Sequence, residues 1–202
     1  MEKPDLILEA AAKRFALFGF RRTVMDDIAR DAGIAKGSLY LHAASKEDLF
    51  LKTVLRERQL MAEAAREAAA GHEDPREALG ALVRRFLQDL EERPLMGRLM
   101  TGDAEMGLGP ELQQQLLVHC NEDRDIMQVV SEALQAGVAR GLFRADLSVE
   151  ASASIVISIF HIHLYNKKQR FIELDDEVFT RELLRILFEG IQICERGFHE
   201  EH

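Results

Sequence analysis

Two short helices separated by a glycine-containing break, near residues 23–43, restrict the fold of this chain more than any other feature. Thr23 precedes Asp26 by three positions, a capping-box spacing with Asp in place of Glu, and predicts a helix over about 24–31. Gly33 stands where that helix must end, because glycine enters the left-handed region at little cost. A second short helix follows over about 36–42, and only Ala32–Ala35 separates the two. Short helices joined by three or four residues that include glycine read as a helix-turn-helix.

The flanking sequence extends this reading. Ile7, Ala11, Phe15 and Phe18 form one apolar face of a helix over about 5–18, with Gly19 as its stop. Ser45, with Asp48 three positions later, opens a long helix over about 46–70 whose inner face carries Phe50, Val54 and Met61. Gly71, His72 and Pro75 close it, and further helices follow at about 76–91, 95–105, 110–139, 148–168 and 176–195. The expected fold is all-α, a three-helix helix-turn-helix head (1–46) on a helical body for ligand binding and dimerisation (47–202). The boundary falls at a helix start, so head and body should be mechanically linked.

In a helix-turn-helix the second helix enters the major groove and its N-terminal residues face base edges. Here these are Lys36, Gly37 and Ser38, followed by Tyr40 and His42. Lys36 suits guanine O6 and N7 or a phosphate, and Ser38 suits either role. Gly37 lets backbone approach closely. Arg22, Thr23, Lys36, Tyr40, His42 and Lys46 together make a phosphate clamp around this strip. Leu39 should face inward with Phe20, Ile28, Ala29 and Ile34. The partner is double-stranded DNA. The alternative for any one of these residues is a solvated position on an ordinary α domain.

The net charge of −9 argues against a DNA binder until it is divided. Residues 1–51 hold eight basic and eight acidic side chains, so all the excess acid lies in the body. An acidic body repels phosphate and orients the neutral head toward it. Cys120 and Cys194 are far apart in apolar helical surroundings and read as free thiols. The polar N-terminus shows no signal peptide, and the longest apolar run, Ile155–Ile162, is too short for a membrane span, so a cytoplasmic protein is expected. There is no G-x-S-x-G, no HExxH and no phosphate loop, so neither an enzyme nor a cofactor is expected. His161 and His163 sit about 200° apart on a helix and cannot chelate one ion together, so no metal is expected.

Helix-turn-helix heads usually read two half-sites, which calls for a homodimer on a near-palindromic operator. Ala151, Ser154 and Ser158 form a small-residue strip that permits close helix approach. The last helix is apolar around most of its girth, with Phe179, Leu183, Ile186 and Ile193 among its members. Two such helices from each chain would form a four-helix bundle, and a monomer core of the same composition is the alternative.

Residues 7–50 resemble the DNA-binding head of the tetracycline-repressor (TetR) family. The matching residues include Ala10-Ala11, Phe15, Gly19-Phe20, Thr23, Ile28-Ala29, Ala32-Gly33-Ile34, Lys36-Gly37-Ser38-Leu39-Tyr40, His42, Ser45-Lys46-Glu47 and Leu49. The family usually has an aromatic ring where Ala43 stands, and a smaller side chain there is expected to loosen the packing of the reading helix on helix 46–70. The resemblance implies a homodimeric repressor released from its operator by a small-molecule effector bound in the body. Deformable side chains at Phe86, Met96, Met100, His119, Met127, Phe160 and His163, with Met106, Cys120 and His161, are candidates for its pocket, with plain core packing as the alternative for each. A helix-turn-helix regulator without a ligand, or an architectural DNA-binding protein, is the rival function.

Overall fold

The computed structural model describes residues 3–122, 125–169 and 175–191, and the regular elements among them are all helical. The head comprises α1 (Lys3–Arg22), α2 (Met25–Asp31) and α3 (Lys36–His42). α1 buries Ile7, Ala10, Ala11 and Phe15. Gly19 interrupts it, as its spacing suggested: with φ 74° and ψ 171° the residue is non-helical, and one short turn runs on beyond the kink to Arg22. A Cβ at that position would lie 2.6 Å from the Glu105 carbonyl oxygen. The kink therefore seats the last turn of α1 against the body, and only glycine fits there. Thr23 does not cap α2. The N-cap is Val24, with no side-chain hydrogen bond, and the buried Thr23 hydroxyl donates to the Gly19 carbonyl at 2.7 Å.

α4 (Lys46–Ala70) starts where the sequence placed it. The Ser45 hydroxyl accepts from the Asp48 N–H at 3.1 Å, and the Asp48 carboxylate accepts from the Ala44 N–H at 2.8 Å. This is a reciprocal cap that satisfies two otherwise orphaned donors. Hydrogen bonds from Lys52 and then from the Ala44 amide hold the Asp48 carboxyl below its ordinary range. α4 is the central strut, packing against α1, α5 (Pro75–Glu92), α6 (Pro94–Met100), α7 (Pro110–Glu122) and α8 (Asp125–Ala139). α9 (Val149–Gln169) and α10 (Asp176–Ile191) complete the body. Two expectations change here. The helix expected over 95–105 ends at Met100 and resumes as a single 3-10 turn, Ala104–Met106. The helix expected over 110–139 is two, α7 and α8. The last residues expected in α10, including Ile193 and Cys194, and the Cys120 side chain lie outside the described residues.

Two apolar cores form. The first joins the head to α4, α6 and the 3-10 turn through Phe15, Phe50, Met61, Leu95 and Met106. The Phe15 and Phe20 rings meet Phe50 at 4.8 and 5.2 Å. Ala43, where the family usually has an aromatic, is 1% exposed within this core. The second core gathers α5, α8, α9 and α10 around Phe143. The Phe143 ring lies on Gly137 so closely that a Cβ there would come within 2.0 Å of it.

Candidate nucleic-acid interface and cavity

α3 is anchored by one residue. Leu39 is 0% exposed, while Lys36, Gly37, Ser38, Tyr40, Leu41 and His42 are all exposed. At about 100° per residue, Gly37 and Leu41 lie opposite Leu39 on the outward line. Lys36 and Tyr40 flank that line on one side, Ser38 and His42 on the other. The C-terminal end of α3 is held by Lys52, a residue the sequence reading passed over, whose ammonium donates to the His42 carbonyl at 2.8 Å and to Asp48 at 2.9 Å.

Every carboxylate of α2 has a cation beside it. Lys36 pairs with Asp26 at 2.8 Å, and this hydrogen bond, followed by the charge itself, raises the lysine pKa. Arg14 binds Asp31 bidentately and approaches Asp27 at 3.8 Å, and Arg30 also pairs with Asp27. The acid that would repel a phosphate backbone is thereby compensated. Arg22 is exposed and donates only its Nε to the Phe18 carbonyl, at 3.0 Å.

Two members of the expected clamp turn inward. Thr23 is buried, and its hydroxyl serves α1. The Lys46 ammonium lies 4.5 Å from the Phe20 ring centroid and donates to the Thr23 carbonyl at 3.1 Å. Thr23 thus ties the α1–α2 corner back to α1, and Lys46 fastens that corner to the start of α4. Their residue types suited phosphate, but the carbonyls exposed by the kinked end of α1 claim them first.

The body carries a cavity of about 1660 Å3, open to solvent on one side, between α4, α5, α6, α7, α8 and α9. Of the expected lining, Phe86, Met96, Met100 and Met127 face it, as do Met106 and His161. His119, Phe160 and His163 do not. The His119 ring donates to the Gln115 carbonyl of its own helix at 2.8 Å. Phe160 is buried behind Phe86, ring centroids 4.8 Å apart. His163 stacks on Phe179 at 3.6 Å and donates to Asp176 at 2.9 Å. The two histidines of the 161–163 pair thus point to different environments. α4 adds Val54, Arg58 and Met61 to the wall, which the sequence reading had assigned to packing or passed over. Ala151 and Ser154, expected at a dimer interface, are exposed and also line the rim of this cavity.

A charged cavity-wall residue also hydrogen-bonds to the head. Arg98 on α6 pairs with Asp103 at 2.7 Å and donates to the Ala16 carbonyl of α1 at 2.6 Å. Asp103 also meets Lys168 of α9 at 3.2 Å. Burial pushes the Asp103 carboxyl up, but Arg98, the Glu105 amide and Lys168 outweigh it and hold the group below its ordinary value.

The outer face of α9 and α10 leaves Ile155, Ile162, Tyr165 and Ile186 exposed, with Ser158 among them. Phe179 and Leu183, expected on an interface, instead pack into the second core. No described helix is long and apolar enough to cross a membrane. No group of three or more His, Cys, Asp or Glu able to hold a metal ion occurs among the described residues.

The comparisons with known proteins agree with this geometry. Residues 7–53 match the sequence profile of bacterial regulatory proteins of the tetR family. The HTH-type transcriptional repressor KstR2 of Mycolicibacterium smegmatis is 33% identical over 155 residues, covering 72% of this chain and 70% of that protein. The fold is shared with the fatty acid degradation regulator FadR from Bacillus halodurans, at 21% identity and a TM-score of 0.76 over 94% of this chain and 96% of that one. It is shared too with FadR from Bacillus subtilis, solved in complex with stearoyl-CoA, at 18% identity and a TM-score of 0.75 over 93% and 99% of the two chains. With a helix-turn-helix whose reading face is open, and a relative this similar across most of its length, the chain belongs to the TetR family of bacterial regulatory proteins, which regulate transcription by binding DNA.

Proposed function

We propose that this chain is a cytoplasmic, homodimeric repressor without enzymatic activity, released from a near-palindromic operator by a large, mainly apolar small molecule. Residues 1–46 read DNA, and residues 47–202 take the effector and pair the two copies. Arg22, Lys36, Gly37, Ser38, Tyr40 and His42 contact the duplex. Phe86, Met96, Met100, Met127 and His161 contact the effector. Ser158, Ile155, Ile162 and Ile186 lie at the dimer contact.

The observation that carries this reading is the shared wall between cavity and head. Val54, Arg58 and Met61 line the cavity from the same helix that is capped at Ser45, directly after α3. Arg98 joins the cavity to α1 by a second route. A molecule that displaces either wall changes the tilt of the reading helix and so the spacing of two docked heads. A coupling of about 1–3 kcal/mol corresponds to a 5–150-fold change in operator affinity. The cavity exceeds the ~300–1,000 Å3 of ordinary drug-sized sites. Its Met, Leu and Ile lining suits a long or bulky apolar body, and Arg58, Arg98 and His161 suit an anionic or polar end. Stearoyl-CoA, the ligand of the Bacillus subtilis relative, is the first probe, with ketosteroids the second in view of the ketosteroid regulator KstR2.

The test combines thermal shift with fluorescence anisotropy on an operator selected in vitro by the full-length protein. A compound that raises Tm and weakens operator binding supports the repressor reading. If ligands bind the cavity and leave operator affinity unchanged, the regulator acts without a ligand.

A further inference from the structure

The reading helix carries a leucine where a hydrogen-bonding residue would ordinarily be sought. Leu41 is 88% exposed, more than any other large apolar side chain among the described residues. It lies opposite the buried anchor Leu39, on the line that points away from the head. Its neighbour on that line, one turn earlier, is Gly37, which has no side chain and open space around it. Leu41 is therefore the side chain that reaches farthest along the outward line. Nothing among the described residues covers it.

We propose that Leu41 is a sequence-reading residue that recognises the 5-methyl group of thymine in the major groove. The proposal rests on α3 being the reading helix. Among the groups displayed on major-groove base edges, the thymine methyl is the apolar one. Leucine pressed against it removes apolar surface from water on both sides. Leucine pressed against cytosine covers the N4 amino donor and leaves it without a partner, which is unfavourable. The bare backbone at Gly37 lets the helix approach closely enough for this contact. Lys36 and Ser38, on opposite flanks of the line, are then left to read the hydrogen-bonding edges of neighbouring pairs.

The test uses full-length protein and a duplex operator selected by it from a random library. Each thymine is replaced singly by deoxyuridine, which removes the methyl and nothing else. One position in each half-site should cost the wild type about fourfold in Kd, the worth of one apolar carbon buried. Leu41→Ala, whose Tm should match wild type because the side chain is exposed, should bind the thymine and uracil duplexes equally well. An equal uracil cost in wild type and Leu41→Ala, or no methyl-sensitive thymine at all, overturns the proposal while a weakened Lys36→Ala leaves α3 as the reading helix. Wild-type binding by both Lys36→Ala and Leu41→Ala overturns the reading helix itself.

Discussion

Lys36 is already paired with Asp26 in the free protein, so part of its charge is spoken for. The DNA contact proposed for it requires that pair to be exchanged for a base or a phosphate. Lys36→Ala should weaken operator binding and relax base preference, by about 1–3 kcal/mol if the contact is bidentate to guanine, measured by anisotropy on operator variants. Asp26→Asn should act in the opposite sense, tightening binding to all duplexes and steepening the salt dependence by roughly one counterion, read from Kd against sodium chloride. A residue in the body reverses a general rule. Alanine in place of a mid-helix glycine ordinarily stabilises by about 1 kcal/mol. At Gly137 the added methyl meets the Phe143 ring, so Gly137→Ala should lower Tm, with an overpacking cost of about 1–3 kcal/mol.

Helix ends obey local chemistry, and helix rotation does not. The end of α2 and the starts of α3 and α4 were legible within a residue or so because Gly33, Ser45 and Asp48 act on their immediate neighbours. The break at Gly19 was legible, but not the Glu105–Met106 backbone, far along the chain, that seats against it. His119, Phe160 and His163 were placed in the cavity lining for a related reason. A helical pattern shows that an apolar face exists, while the neighbouring helices decide whether a residue beside that face meets a cavity, a core or water. The α5 cap makes an element-level prediction. Hydrogen bonds from Arg76 hold the Asp74 carboxyl down to about 2. A carboxyl depressed on folding stabilises fully above its unfolded value near 3.8, and that contribution is lost as pH falls toward 2. Wild-type Tm should therefore fall more steeply over that interval than that of Asp74→Asn. The link between α6 and α1 gives another. Arg98→Ala should leave a protein that still binds operator but releases it less on effector binding, seen as a smaller ligand-induced change in Kd.

At the scale of the molecule, the exposed isoleucines of α9 and α10 are the surface proposed to meet a second copy. Replacing Ile155 and Ile186 together by Asp should give a monomer by analytical ultracentrifugation, with each head folded and operator affinity reduced to that of a single half-site. The fold class and the order of head and body were legible from the sequence, because caps, breakers and periodicity all pointed the same way. The cavity's size was not, because it is the space that several packed helices leave unfilled. The first core has one more consequence, for recombination. Phe50, Val54, Met61, Leu95 and Met106 pack in one cluster with Ile7, Phe15 and Leu39, so the unit that reads DNA and the unit that holds together do not end at the same residue. A chimaera joined at residue 46 would strip the head of half its apolar partners. Grafting this head onto another sensor requires carrying α4 at least through Met61 and supplying a matched replacement for the α6 surface, so new specificities in such a chain arise more readily by changing side chains on α3 than by exchanging heads.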